Sequence, residues 1–183
     1  MNQAEDVKLI NEFKNGNEQA FNQLVHLYKE KVYWVVRRMI PDHDDADDIT
    51  QNVFIKAYQS LHGFKGESSF YTWIYRIAIN LSLNEIRRKK VRKLFSIDES
   101  ESFELRSGDD HPLEKIERDE RTRLIEEAIA LLPEKQKKVF VLRYYEELPY
   151  EKIAAILKTS VGGLKANYFY AVKKIGAYLK REL

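Results

Sequence analysis

The chain has 183 residues, a formal net charge of +2 and charged side chains at a third of its positions. That length suits one ordinary domain or two small ones, and an apolar content of 44 % is enough to build cores. The absence of cysteine excludes disulfides and thiolate chemistry. The four histidines, His26, His43, His62 and His111, are not paired at helical ligand spacing, so no metal and no cofactor are expected.

Taken in order, the apolar positions predict helices throughout. Val7, Ile10 and Phe13 give a first helix that Gly16-Asn17 interrupts. Phe21, Leu24, Val25, Leu27, Tyr28, Val32, Val35 and Val36 mark a long amphipathic helix ending near Ile40, before Pro41. A polar start at Asp42 opens a third, with the stripe Ile49, Val53, Phe54, Ala57 and Leu61. After a loop with Gly63 and Gly66, a fourth begins near Ser68-Ser69. It carries Phe70, Trp73, Ile74, Ile77, Ala78 and Leu81, and leaves the core as a basic run from Arg87 to Lys93.

Residues 96–112, rich in Ser, Asp, Glu and Gly, read as a flexible acidic linker. Beyond it, Ile116, Leu124, Ile125, Ala128 and Leu131 predict a helix. Another follows Pro133 with Val139, Phe140, Leu142 and Tyr145, and stops before Leu148-Pro149. No Val/Thr-rich alternating run bounded by turns is present, so the expected fold class is all-α: two small helical domains, residues 1–95 and 113–183, joined by the linker. Charge follows that division. Residues 1–97 hold 15 basic and 12 acidic side chains, residues 98–120 hold 3 and 10, and residues 121–183 hold 13 and 7. Two basic segments flank an acidic one, and basic segments can neutralise phosphates.

The last two predicted helices carry the sharpest pattern. Tyr150, Ile153, Ala154 and Leu157 give a short helix one buried face. Lys158-Thr159-Ser160 makes a turn, and Ser160 is placed to cap a longer helix with Val161, Leu164, Tyr168, Val172, Ile175 and Leu179 inward. Short helix, three-residue turn and longer helix form the helix-turn-helix pattern. Its outward side offers Gly162, Gly163, Lys165, Ala166, Asn167, Phe169, Tyr170, Lys173 and Lys174. Backbone N–H groups beside the two glycines can approach a phosphate, Asn167 suits adenine, and Lys173 and Lys174 suit the DNA backbone.

In the first block, Tyr71, Tyr75, Asn80, Asn84, Arg87 and Arg88 cannot all share the inward face of their helix with Phe70, Trp73, Ile74 and Ile77. Aromatics exposed beside arginines form a platform for unpaired bases. The preceding loop, with Phe64 and Lys65 between flexible Gly63 and Gly66 and Glu67 directly after them, has room for an extruded base.

On these residues the chain resembles the extracytoplasmic-function sigma factors, members of the sigma-70 superfamily of bacterial RNA polymerase subunits. Three stretches carry the likeness: DADDITQNVFIKA at 45–57, FYTWIYRIA at 70–78 with Asn80, and LPEKQ at 132–136 through YEKIA at 150–154 to Lys174. The resemblance implies that Asp45, Asp48, Gln51, Asn52 and Phe54 belong to the helix that grips the polymerase clamp. It implies that Phe64, Lys65, Glu67, Tyr71, Tyr75, Arg76, Asn80, Asn84, Arg87 and Arg88 serve the −10 element and its melting. Ser160, Gly162, Gly163, Lys165, Ala166, Asn167, Tyr170, Lys173 and Lys174 would then serve the −35 element.

The implied partners are bacterial core RNA polymerase, promoter DNA and an anti-sigma factor, in many cases membrane-anchored, with no small-molecule substrate and no catalysis. Asn52 stands where the family often has Glu, and Gly163 and Asn167 stand where Thr and Arg are common. Two other readings remain open on the residues alone. A helix-turn-helix regulator that never joins polymerase leaves the 45–57 helix unexplained. A carboxylate-metal enzyme built on Asp44, Asp45, Asp47 and Asp48 lacks the Glu-x-x-His pairs such a bundle site uses. The first 16 residues lack the apolar core of a secretory signal, and no run approaches the ~18 apolar residues of a membrane span, so a cytoplasmic location is expected.

Overall fold

The computed structural model describes residues 3–95 and 120–182, and every regular element among them is helical. The expected linker at 96–112 and Ile116 lie outside the described residues.

In the first block, α1 (Gln3–Lys14) turns Leu9, Ile10 and Phe13 inward. Gly16, at φ +95°, makes the left-handed turn that a side chain would strain, and the Asn17 side chain caps α2 (Glu18–Met39) by accepting from the Gln19 N–H at 3.1 Å. Ile40 is extended, as a residue before proline prefers. Asp42 then caps α3 (His43–Leu61), accepting from the Asp45 N–H at 2.9 Å, with Asp44 and Asp45 in the first turn where the helix dipole favours them. The Ser69 hydroxyl accepts from the Thr72 N–H at 3.2 Å and so caps α4 (Phe70–Phe95). Helices α2, α3 and α4 pack on one another, and α1 lies against α2. The Tyr28 hydroxyl donates to Asp6 at 2.6 Å and ties α1 to α2. Both side chains are buried, so each satisfies the other; burial first, then the carboxylate, pushes the Tyr28 hydroxyl's pKa well up.

The second block comprises α5 (Glu120–Ala130), α6 (Glu134–Phe140), a π-helical turn that continues α6 (Val141–Tyr145), α7 (Tyr150–Leu157) and α8 (Val161–Glu182). The π-turn is not visible in the spacing of apolar residues. It ends with the Glu146 N–H donating to the Val141 carbonyl at 3.3 Å and with Glu147 in the left-handed region at φ +51°. Lys158, at φ +50°, is the left-handed residue that stops α7 and starts the turn into α8.

Two expected core positions change places with their neighbours. Leu131 is exposed and Leu132 buried, because α5 stops at Ala130 and the Leu132 N–H folds back onto the Ile129 carbonyl at 3.1 Å. On α8 the inward stripe runs Leu164, Tyr168, Ala171 and Ile175, which leaves Val172 outside.

The two blocks also meet. Helix α7 packs against α4 and the π-turn packs against α2. Leu142, Leu148, Ile153, Ile156 and Leu164 belong to one apolar cluster with the core of the first block. A second, smaller cluster of Ala128, Ile129, Leu132, Phe140, Ala171 and Ile175 holds α5, α6 and α8 together.

Candidate functional site

Three surfaces carry the residues singled out above. On α3, Asp48, Gln51 and Asn52 are exposed on one side of the helix. The same side continues into Ile55, 54 % exposed, and Tyr58, whose hydroxyl donates to Glu18 at 3.1 Å. These two residues went unnoticed in the sequence; an Ile outside the Ile49-Val53-Ala57 stripe is their signal. Asp45 instead turns toward α4 and pairs with Lys89. Phe54 is in the core at 8 % exposure, so it supports this helix from beneath and is not presented to a partner.

The second surface is α4 and the loop before it. Lys65 and Glu67 are exposed at the loop tip, where Gly66 adopts φ +74°. Phe64 is half-buried against Trp73, ring centroids 5.1 Å apart, and its carbonyl accepts from Lys14 Nζ at 2.6 Å. It anchors the loop to the core. Asn80, Asn84, Arg87 and Arg88 are exposed along α4, Arg88 pairing with Glu85 one turn back.

Tyr75 departs from the expected platform: it is only 1 % exposed. Its hydroxyl donates to Glu146 at 2.9 Å and its ring lies 4.1 Å from that of half-buried Tyr71. Burial raises the Tyr71 pKa to about 12, and that of Tyr75 is pushed further up by burial, then by Tyr71 and Glu146. Arg76 donates to the carbonyls of Ile156 at 3.1 Å and Ala155 at 2.7 Å, which lie in the last turn of α7 and lack helical donors. The Arg87 guanidinium reaches the Glu134 carboxylate through both Nε and Nη2, the latter at 2.7 Å; this holds the carboxyl below its usual range. The crowding of aromatics in α4 thus has a structural cause: α2 and α3 cover one side of the helix and α7 another.

The third surface is the start and outer side of α8. Ser160 caps the helix as expected, its hydroxyl accepting from the Gly163 N–H at 3.3 Å. Gly162 lies in open space, so a ligand can reach the backbone there; a Cβ on Gly163 would come within 3.3 Å of the Ser160 hydroxyl. Lys165, Ala166, Phe169, Tyr170, Lys173 and Lys174 are exposed. The Asn167 amide donates to the Gly163 carbonyl at 2.7 Å, which occupies one of its donors.

The match to known families follows this layout. Residues 24–92 match the model of sigma-70 region 2, and residues 122–175 match that of sigma-70 region 4. The sigma-H factor of RNA polymerase from Pseudomonas aeruginosa is 35 % identical over 98 % of this chain and 96 % of its own length. The chain belongs to the extracytoplasmic-function sigma factors of the sigma-70 superfamily. The sigma-E factor of Escherichia coli is 37 % identical, covering 94 % of this chain and 93 % of that one. Two solved complexes share the fold. CnrH bound to the cytosolic domain of CnrY gives a TM-score of 0.72 at 21 % identity, covering 98 % of this chain and 99 % of that one. The sigma factor RpoE bound to the anti-sigma factor NepR, from Bartonella quintana, gives 0.69 at 22 %, covering 87 % and 96 %.

As a sigma factor the chain mediates promoter recognition for RNA polymerase, and the family is one of non-catalytic initiation factors. Both the polymerase-independent regulator and the metal enzyme are thereby set aside. Among the described residues no helix is long and apolar enough to cross a membrane.

Proposed function

We propose that the three surfaces divide the work of initiation. The outer side of α3, with Asp48, Gln51, Asn52 and Ile55, docks on core polymerase. The 64–67 loop and the exposed side of α4 take the −10 strand, with Asn80 and Asn84 reading bases and Arg87 and Arg88 holding phosphates. The N-terminal half of α8 enters the major groove at the −35 element, with Lys165 and Asn167 toward base edges and Lys173 and Lys174 toward phosphates. Melting follows from affinity: a protein that holds single strands better than duplex recovers the opening cost from captured bases. An anti-sigma factor, the kind of partner named in the RpoE–NepR complex, would act by covering one or more of these surfaces.

The observation that carries this reading is the continuous exposed stripe Asp48-Gln51-Asn52-Ile55 on a helix whose opposite side is wholly buried. The test is transcription by core polymerase with the full chain and with Gln51→Arg. The variant places a larger cation in the centre of the stripe without touching the core. Loss of polymerase binding together with unchanged binding to a −35 duplex is expected. Full activity of Gln51→Arg would remove α3 from the polymerase interface.

A further inference from the structure

The match to sigma-70 region 2 begins at residue 24, beyond α1. That helix nevertheless ends against the loop assigned to base capture. A lysine in the last turn of a helix ordinarily serves that helix's own free carbonyls. Here those carbonyls already have donors. Asn11, Glu12 and Phe13 accept from the N–H groups of Asn15, Asn17 and Gly16, each at 3.0 Å, as the chain turns back at Gly16. Lys14 is released from capping α1. Its ammonium instead crosses to the Phe64 carbonyl, fifty residues away, and donates to it at 2.6 Å.

The loop is held step by step up to its tip. As α3 ends, the N–H groups of Gly63 and Phe64 donate to the carbonyls of Ser60 and Leu61, both at 3.1 Å. The His62 ring lies 4.8 Å from that of buried Phe13 on α1, and the Phe64 ring lies 5.1 Å from that of Trp73 on α4. Lys14 adds a charge-assisted bond at the last carbonyl before the tip. Beyond it stand Lys65, left-handed Gly66 and Glu67, all exposed. A loop that had to be ordered only when a base arrived would lose that ordering cost from its affinity, so a preshaped loop binds the base more tightly.

We propose that α1 braces the base-capture loop and that Lys14 is a positioning residue for promoter melting. Lys14 acts through the Phe64 carbonyl and Phe13 through His62; neither touches DNA. The assignment rests on the −10 reading of the 64–67 loop given above. It gives α1 a task of its own, separate from docking on polymerase and from the −35 element.

The test uses the full chain with core polymerase on a promoter it transcribes. Lys14→Met keeps the aliphatic stem and removes the donor. Permanganate reactivity of the −10 thymines should fall roughly threefold to tenfold, the share of a charged hydrogen bond that reaches the captured base. Affinity for core polymerase and for a −35 duplex should stay at the parent level. Lys14→Arg, which can still donate to a carbonyl, should retain most of the melting. On a template mismatched across the −10 region, where opening is already done, Lys14→Met should transcribe nearly as the parent does. A general loss of structure would instead lower all three kinds of binding and would not be repaired by mismatches. The double variant Lys65→Ala/Glu67→Ala tests the loop itself. Normal melting by Lys14→Met beside defective melting by the tip variant overturns the brace and leaves the loop reading in place. Normal melting by both overturns the loop reading together with the brace. Melting by Lys14→Arg as poor as by Lys14→Met, or a defect that the mismatched template does not repair, also overturns the positioning role.

Discussion

Helices α4 and α8 are both assigned to promoter DNA, yet they face solvent differently. On α8 the cations Lys165, Lys173 and Lys174 are exposed, while on α4 the side chains of Tyr75, Arg76 and Arg87 are engaged by Glu146, the end of α7 and Glu134. The face proposed for the −35 element is exposed as it stands. On the face proposed for the −10 strand, Asn80, Asn84 and Arg88 are exposed as well, while Arg87 is tied to Glu134 and Tyr75 is buried. An exposed lysine contributes its whole charge to a phosphate, whereas a paired arginine has to give up its carboxylate first.

The shared core supplies the largest test of that contrast. Leu142 is fully buried in the cluster that joins the second block to the first. Leu142→Ala should destabilise the protein by about 2–5 kcal/mol, the range for a large-to-small change that leaves a cavity. In denaturant the loss should appear in a single cooperative transition, because the cluster spans both blocks. A transition that splits in two, with only the second-block phase shifted, would show that the blocks fold independently and that the covered face of α4 is only loosely covered.

A smaller effect comes from within the second block. Lys137 is buried at the α5–α6 corner, its ammonium donating to the Ala130 carbonyl at 3.0 Å, and burial brings its pKa down to about 8. The unfolded chain holds this proton to about pH 10.4. Below pH 8 both states are charged and the folded state bears the burial penalty. From pH 8 upward the folded state releases its proton first, the unfolded state then binds more protons, and stability rises with pH. Relative to Lys137→Met, the parent should gain roughly 1 kcal/mol between pH 7 and pH 9. The window closes near pH 10, where tyrosines of the unfolded chain ionise ahead of buried Tyr28 and Tyr75, and stability falls. Parallel stability–pH curves for the two proteins would place the Lys137 ammonium in water and loosen the corner that sets α6 against α8.

The helices are legible because they rely on local signals: Ser160 as a cap, Asp42 as a polar start, Gly16-Asn17 and Pro41 as stops, and apolar spacing between them. The exposed sides of α3 and α8 were legible for the same reason, since a polar residue outside an apolar stripe has nowhere else to go. The interior side of α4 was not. Periodicity says that Tyr75 lies off the Phe70-Ile74 stripe but cannot tell a second buried side from an exposed aromatic platform. The partner that buries it is some seventy residues away, and the π-turn that delivers Glu146 follows a helix whose apolar spacing looks ordinary. Phe54 shows the same limit in reverse, because membership of a polymerase-binding helix says nothing about which side of it a residue occupies.

The finest distinction between the two DNA faces lies in what one cation is worth on each. Lys173 is exposed, on the outer side of α8. On the −35 assignment proposed above, Lys173→Ala subtracts one phosphate contact. Binding to a −35 duplex should therefore weaken about equally on all sequences, and the slope of log K against log salt should become shallower by about 0.9, the value for one phosphate on duplex DNA. Arg87 is exposed too, but in the free chain it already holds Glu134 in a charge-assisted pair. For this residue binding exchanges one anion for another. In the parent the proposed strand phosphate has to displace Glu134, so Arg87→Ala removes a contact that was already partly offset. The net loss of affinity for single-stranded DNA should be smaller than the loss that Lys173→Ala causes on duplex, and the slope should change by less than the ~0.7 expected for a full contact to a single strand. The double variant Arg87→Ala/Glu134→Gln separates the terms, because with Arg87 absent there is no pair left for DNA to displace. It should bind strands no better than Arg87→Ala and more weakly than Glu134→Gln. If Arg87→Ala instead loses a full contact and Glu134→Gln changes nothing, Arg87 behaves as Lys173 does, and its pair with Glu134 does not compete with DNA.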